Sequence, residues 1–337
     1  MSRHATAATA PGGQNAEQGE SQTVEQQAPQ GRAAKRRAER RRKPPFGAWV
    51  TFVCWLLGVG VLLYPTASAW LSQVNQSSLV GLYDEELANV KPDMASQIHE
   101  AQRYNEELSS GALLEAGANV AVGSGELRDN ELRYSDQLAT PSGVMARLRI
   151  PSIKVDLPIY HGTDEETLLK GLGHLEGTSL PVGGDSTRSV ITGHRGLASA
   201  RMFTDLDKVE EGDTFTLETF GEVLTYRVRD VAVVEPDQTE TLHQEPGEDL
   251  VTLITCTPLG VNTHRILVTG ERVSPTPEAD LDAAGEPSGL PGFAWWAVGY
   301  GGAVLLGVAY LVWSSKGPKK AADPAASKLP ETGSAEG

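Results

Sequence analysis

The chain has 337 residues, 39% hydrophobic and 22% charged, enough apolar content for a sizeable core. Its net charge of −15 argues against a nucleic-acid binder, and two cysteines, Cys54 and Cys256, exclude a disulfide-rich scaffold and a Cys-cluster metal site. The charge is unevenly spread: residues 1–43 carry nine Lys/Arg against four Asp/Glu, whereas nearly all the remaining acid lies between the two apolar segments described next.

Residues 1–43 have no apolar periodicity and end in KRRAERRRK, which predicts a disordered, basic cytoplasmic tail. No charge occurs between Pro44 and Tyr83, and within that stretch residues 46–64 (FGAWVTFVCWLLGVGVLLY) predict a transmembrane helix. An uncleaved anchor is favoured over a cleaved signal peptide ending at Ala67-Ser68-Ala69, because the apolar run exceeds the usual length of a signal peptide. Residues 293–313 predict a second span, and aromatic residues flank both. Basic residues precede the first span and Lys316, Lys319 and Lys320 follow the second. Both termini, including the tail 314–337, are therefore expected in the cytoplasm and the acidic middle outside.

Residues 80–142 are expected to form an external helical region, interrupted at Pro92, followed from about residue 111 by a Gly-containing, lid-like arm. From residue 143 to 273 the pattern becomes short β-rich runs between turn signals, among them MARLRI, VDLPIY, SVIT, TFTLET, VLTYRVRDVAVV, DLVTLITC and RILVTGERV. Alternation in the fourth and fifth of these predicts strands with one wet face, and the set predicts a small closed barrel or sandwich. One short helix is expected behind a capping box with Thr163 at the N-cap and Glu166 at N3. Residues 274–290 (SPTPEADLDAAGEPSGL) have the composition of a linker to the second span.

Cys54 lies in the first span, so Cys256 is the one thiol of the external part. It ends an apolar strand against Thr-Pro-Leu-Gly, where a barrel presents functional groups, and is a candidate nucleophile. A thiol nucleophile needs a cation or base beside it. His194 in ITGHRGL and Arg265 in NTHRILV both stand at strand ends; His264, His161 and His174 compete with His194, and spacing alone eliminates none of them. No pair of histidines has metal-ligand spacing, so neither metal nor cofactor is expected.

Thr252-Leu253-Ile254-Thr255-Cys256 resembles the TLxTC signature of sortases. Its continuation TCTPLGVNTHRILVTGER, together with IPSIKVDLPIYHGT, GLGHLEGTSLPVGG, VITGHRGL and MFTDLDKVEEGDTF, resembles the pilus-assembling class C branch over about residues 143–273. The resemblance implies a closed eight-stranded β-barrel, with Cys256 as nucleophile, His194 as the catalytic His and Arg265 as the catalytic Arg. It implies transpeptidation at LPxTG-type sorting signals of pilin subunits or surface proteins, with a pilin Lys amine as acceptor. It also implies a lid with an Asp-Pro-aromatic motif; here Asp129 matches the lid Asp, while Asn130-Glu131 stand where the Pro and aromatic would be. The alternatives are a housekeeping sortase that anchors proteins to a peptidoglycan amine, a catalytically idle surface-binding module and a thiol protease. The chain's own Leu329–Gly333 string, LPETG, lacks the apolar run and basic tail of a sorting signal.

Overall fold

The structure is a computed structural model that describes residues 43–109, 112–114, 121–123, 126–127, 132–236, 238 and 242–316. Most of the basic N-terminal tail, Asp129 and the C-terminal LPETG string lie outside the described residues.

Eight strands close into a barrel: β1 (Val144–Ile150), β2 (Val155–His161), β3 (Leu172–His174), β4 (Thr187–Thr192), β5 (Thr214–Thr219), β6 (Glu222–Val234), β7 (Asp249–Thr257) and β8 (His264–Val273). The order around the wall is β6-β8-β7-β4-β3-β2-β1-β5, with β5 pairing back onto β6. Closure leaves no unpaired edge. The β2–β3 and β4–β7 pairs are parallel, and the other neighbours antiparallel. The interior is filled by Leu148, Ile159, Ile191, Phe215, Leu217, Tyr226, Leu253 and Val268, all fully buried.

The first helix, α1, runs without a break from Phe46 to Leu87, well past the 46–64 read as a span. Pro65 lies inside it. The extension is held by tertiary contact: Gln76, Val80 and Tyr83, spaced four and three apart on one face, are buried. The chain turns over residues 88–93, and α2 (Met94–Glu107) begins behind Asp93, whose carboxylate accepts from Ser96 N at 3.1 Å. Between α2 and the barrel, two short two-stranded ladders pair residues 108–109 with 126–127 and 112–114 with 121–123.

The short helix α3 (Glu165–Lys170) is capped one residue later than its sequence suggests. Asp164, not Thr163, is the N-cap; its carboxylate accepts from Thr167 N at 3.0 Å and from Thr167 Oγ1 at 2.9 Å. A carboxylate satisfies both donors at once, which favours it over a hydroxyl at this position.

The expected wet faces of β5 and of the start of β6 are covered. Thr216, Glu218 and Thr225 are all buried. Their cover is residues 274–290, which hold a short helix, α4 (Glu278–Asp282), and lie against the barrel. Thr225 Oγ1 donates to Asp280 Oδ2 at 2.7 Å, and Gly285 N donates to Glu218 Oε2 at 3.2 Å. Arg149 donates to the Ala283 carbonyl and Arg147 Nη2 to that of Glu286 at 3.0 Å. Arg147 is fully buried in a fork on Asp156, at 2.7 and 2.8 Å, with Glu218 at 3.3 Å. Removing one partner of such a buried pair typically costs about 3–5 kcal/mol. The final helix, α5, spans Trp295–Ser314, and both α1 and α5 are long and apolar enough to cross a membrane.

Candidate active site

Two backbone ladders bring the thiol and its candidate partners to one end of the barrel. Cys256, next to last on β7, is the register partner of Arg265 on antiparallel β8. Directly opposed residues share a face and stand a few ångströms apart. On the other side, β7 pairs with parallel β4 up to Ile254 and Thr192, and Gly193 N extends the ladder to Ile254 O at 3.1 Å. His194 is two residues beyond Thr192, as Cys256 is two beyond Ile254. Thr255 Oγ1 ties the two segments again by donating to Gly193 O at 2.7 Å.

Gly193 is required where it stands. A Cβ there would come within 2.6 Å of Leu172 Cδ2 and 2.7 Å of Phe203 Cδ2, so the backbone bearing His194 is packed against its neighbours. Phe203 N holds the next turn by donating to His194 O at 3.0 Å.

All three side chains are withdrawn from solvent: Cys256 and His194 are each 8% exposed and Arg265 4%. Burial pushes the Cys256 thiol above its ordinary range, and the Arg265 guanidinium opposes that shift. Arg265 Nη1 is oriented by donating to the carbonyls of Asn262 at 3.0 Å and His264 at 3.1 Å. His194 Nε2 is buried and makes no hydrogen bond among the described residues; Glu165 Oε2, on the first turn of α3, lies 3.5 Å away, in ion-pair range.

The competing histidines separate clearly. His264 neighbours Arg265 on β8, so its side chain turns to the opposite face, where Nδ1 meets Thr263 Oγ1 at 2.9 Å. His161 and His174 are cross-strand partners on β2 and β3 and both engage the segment before the barrel. His174 Nε2 lies 2.8 Å from the Ser179 carbonyl and so carries the proton. Its Nδ1 therefore accepts from Tyr134 Oη at 2.9 Å, and the same hydroxyl accepts from Gly162 N at 3.0 Å. His161 Nε2 donates to Gln137 O at 2.7 Å. Burial lowers the pKa of both rings, that of His174 to about 4, so they serve as neutral hydrogen-bonding parts of the wall.

Arg195 escaped the sequence reading. It is largely buried, and its three nitrogens reach two segments: Nε to Thr204 O at 3.2 Å and Nη2 to Asp207 Oδ2 at 2.6 Å on one, and Nη1 to Thr257 Oγ1 at 2.8 Å on the other. It therefore braces the residue after Cys256 against the residue after His194. An Arg beside the candidate His was visible in the sequence, but its partners lie up to 62 residues away. Among the described residues no group of three or more His, Cys, Asp or Glu side chains is gathered as for a metal ion.

Comparison with known proteins agrees with this geometry. The sortase domain model matches residues 148–273. The chain is 30% identical over 149 residues to sortase D of Bacillus subtilis, covering 43% of this chain and 70% of that one. It is 29% identical over 130 residues to sortase A of Bacillus anthracis, covering 39% of this chain and 60% of the length of that relative. Among solved structures, sortase C of Streptococcus pneumoniae superposes with a TM-score of 0.51 at 36% identity, over 58% of this chain and 96% of that one. The chain belongs to the sortase family of cysteine transpeptidases, and within it to the class C branch.

Proposed function

We propose that the protein is a membrane-anchored transpeptidase that cuts LPxTG-type sorting signals between Thr and Gly and joins pilin subunits through isopeptide bonds. The observation that carries this reading is the alignment of Cys256 with Arg265 across β7 and β8, with His194 at the end of the neighbouring strand. The Cys256 thiolate attacks the Thr carbonyl carbon. Arg265, a permanently charged donor, holds the oxyanion of the tetrahedral intermediate. The C–N bond to Gly breaks, the departing amine takes a proton from His194, and a thioacyl-enzyme remains. A Lys amine then attacks the thioester, gives its proton back to His194 and releases the thiolate.

The pilin assignment is supported by likeness to the Streptococcus pneumoniae sortase C, an enzyme with pilin substrate specificity. Anchoring is supported by the two apolar helices. With basic flanks on the cytoplasmic side, the barrel is extracytoplasmic and both termini are cytoplasmic. Asp129, on the arm before the barrel, is proposed as a lid carboxylate facing Arg265. The test is to incubate the full chain in detergent with candidate pilins and their sorting signals. A covalent ladder that survives SDS, absent with Cys256→Ala, is expected; release of free acid with no amide in the presence of amine would contradict the proposal.

A further inference from the structure

Helix α1 lies along the barrel wall, and its hydrogen bonds give its direction. Ser68 Oγ donates to Ala198 O at 2.7 Å, and Gln76 Nε2 reaches Met202 Sδ at 3.2 Å and Lys170 O at 3.4 Å. Two turns on, Tyr83 Oη donates to Met145 O at 3.2 Å and accepts from Phe220 N at 2.9 Å. Ala198 and Met202 follow His194, at the catalytic end of the barrel. Phe220 lies in the turn from β5 to β6, at the opposite end. From Ser68 to Tyr83 the helix rises about 22 Å, enough to run the length of the wall.

The returning chain runs the other way. After β8 ends, Thr276 Oγ1 donates to Val223 O at 2.8 Å, still at the far end. Contacts of Asp280 with Thr225 and of Glu286 with Arg147 follow down the side, and the Leu290 carbonyl then accepts from Ser77 Oγ. The Gly292 carbonyl accepts from Trp70 Nε1 at 2.8 Å, and the rings of Trp70 and Trp296 meet edge-on at 6.1 Å. The apolar run of α1 ends near Tyr64 and that of the C-terminal segment begins at Phe293. The Trp70 contacts thus set the two boundaries about 9 Å apart along α1, within the depth of a headgroup region that amphipathic indoles favour. Ser68, bonded to the loop behind His194, is only about 6 Å beyond Tyr64.

Taking the membrane anchoring proposed above as given, we propose that the catalytic end of the barrel faces the bilayer and rests on it. The loop of residues 195–202 lies at headgroup level. So does the β7–β8 loop, where Leu259 and Val261 are 51% and 65% exposed and a Cβ on Gly196 would come within 2.5 Å of Leu259 Cδ2. Exposed apolar tips of this kind are stabilised at a lipid interface. The acidic charge at this end is partly offset: Glu166 is paired with Lys170, Asp207 with Arg195, and Asp205 with Arg201 and Lys208, while Glu165 and Glu235 remain exposed there. A polypeptide therefore reaches Cys256 along the membrane surface.

The test is site-directed spin labelling of the full chain in vesicles of phosphatidylglycerol and phosphatidylethanolamine that carry a nickel-chelating lipid headgroup. In a Cys54→Ser, Cys256→Ser background, single labels go on Ala198→Cys, Ser199→Cys, Tyr64→Cys and, at the far end of the barrel, Asp185→Cys. The proposal expects relaxation by the nickel lipid several-fold stronger at residues 198 and 199 than at 185, and close to that at 64. Strong relaxation at 64 with values at 198 and 199 no higher than at 185 would overturn it while leaving the anchoring intact. Weak relaxation at 64 as well would overturn the anchoring, and the proposal with it. None of these readouts depends on enzyme activity.

Discussion

Cys256 and Arg265 stand opposite each other on antiparallel β7 and β8, so a permanent cation is fixed beside a thiol that burial makes hard to ionise. The thiolate is the reactive form, and an ordinary thiol ionises near pH 8.5. In a Cys54→Ala variant, the alkylation rate of Cys256 should therefore still be rising with pH above that point. Arg265→Gln removes an influence that lowers the thiol pKa and should move the profile to higher pH. Arg265→Lys keeps the charge but loses the planar fork, and turnover should fall roughly 10²–10³-fold. A profile that levels off at or below the ordinary range, or an Arg265→Lys variant near wild-type turnover, would contradict this role.

Arg195 should act on catalysis through geometry. It links Thr257 to the His194 loop, and misplacing reacting groups by about 1 Å can cost roughly 10²-fold. Arg195→Met should lower kcat at least tenfold while KM changes little, and Thr257→Val should reproduce part of the loss. The two together should cost less than the product of their separate effects, since both break one contact. Full additivity in the kcat cycle would mean that the bridge does not couple the two loops.

Seven of the eight barrel strands are legible as short β-rich runs between turn residues, and the closure is implied by the sortase resemblance; β3 (Leu172–His174) is not, because Leu-Gly-His is too short and has no β-branched residue to mark it. The strand-end placement of Cys256, His194 and Arg265 was legible too, but which histidine joins the thiol was not, because that depends on the parallel β4–β7 register. What escaped was long-range. Helix is legible over 46–64 and again from residue 80, but nothing local in residues 65–79 says that one helix runs through Pro65 to join them; Tyr83 is held in place by Met145 and Phe220. The linker composition of 274–290 hid its role as a cover, because its partners Arg147, Arg149 and Glu218 are far away in the chain. The same cover buries the expected wet face of β5 and Thr225 at the start of β6, while Arg227 further along β6 is exposed as its alternation implies.

The burial of His174 should make stability depend on pH. His174 is neutral when buried, with its pKa brought down to about 4, whereas in the unfolded chain it titrates near 6.5. As pH falls from about 6.5 toward 4 the unfolded state takes up a proton that the folded state refuses, and stability is lost. Above 6.5 the contribution is fully present. At about 1.4 kcal/mol per pH unit, the loss is on the order of 3 kcal/mol. Thermal melts in detergent at pH 7 and pH 4.5 should show a larger drop in Tm for the wild type than for His174→Gln. Equal drops would show that another group sets the slope.

Asp129 is the one carboxylate that the sortase resemblance assigns to a lid, without the neighbouring Pro and aromatic. An absent large apolar contact forfeits roughly 1.5–3 kcal/mol of closing energy. With the pH held above about 8.5 so that ionisation does not limit the rate, Cys256 should therefore be open to a bulky thiol reagent, and Asp129→Ala should speed labelling only modestly. Strong protection lifted many-fold by Asp129→Ala would instead mean a tight lid held by the carboxylate alone.

The most direct test of the account is intact-mass spectrometry of the full chain mixed with an LPxTG peptide that bears a Gly-led tail. The account predicts release of the tail and an enzyme adduct equal in mass to the acyl part, located by digestion on Cys256, removed by hydroxylamine and absent in Cys256→Ala. Tail release without any adduct on Cys256, or undiminished release by Cys256→Ala, would contradict it.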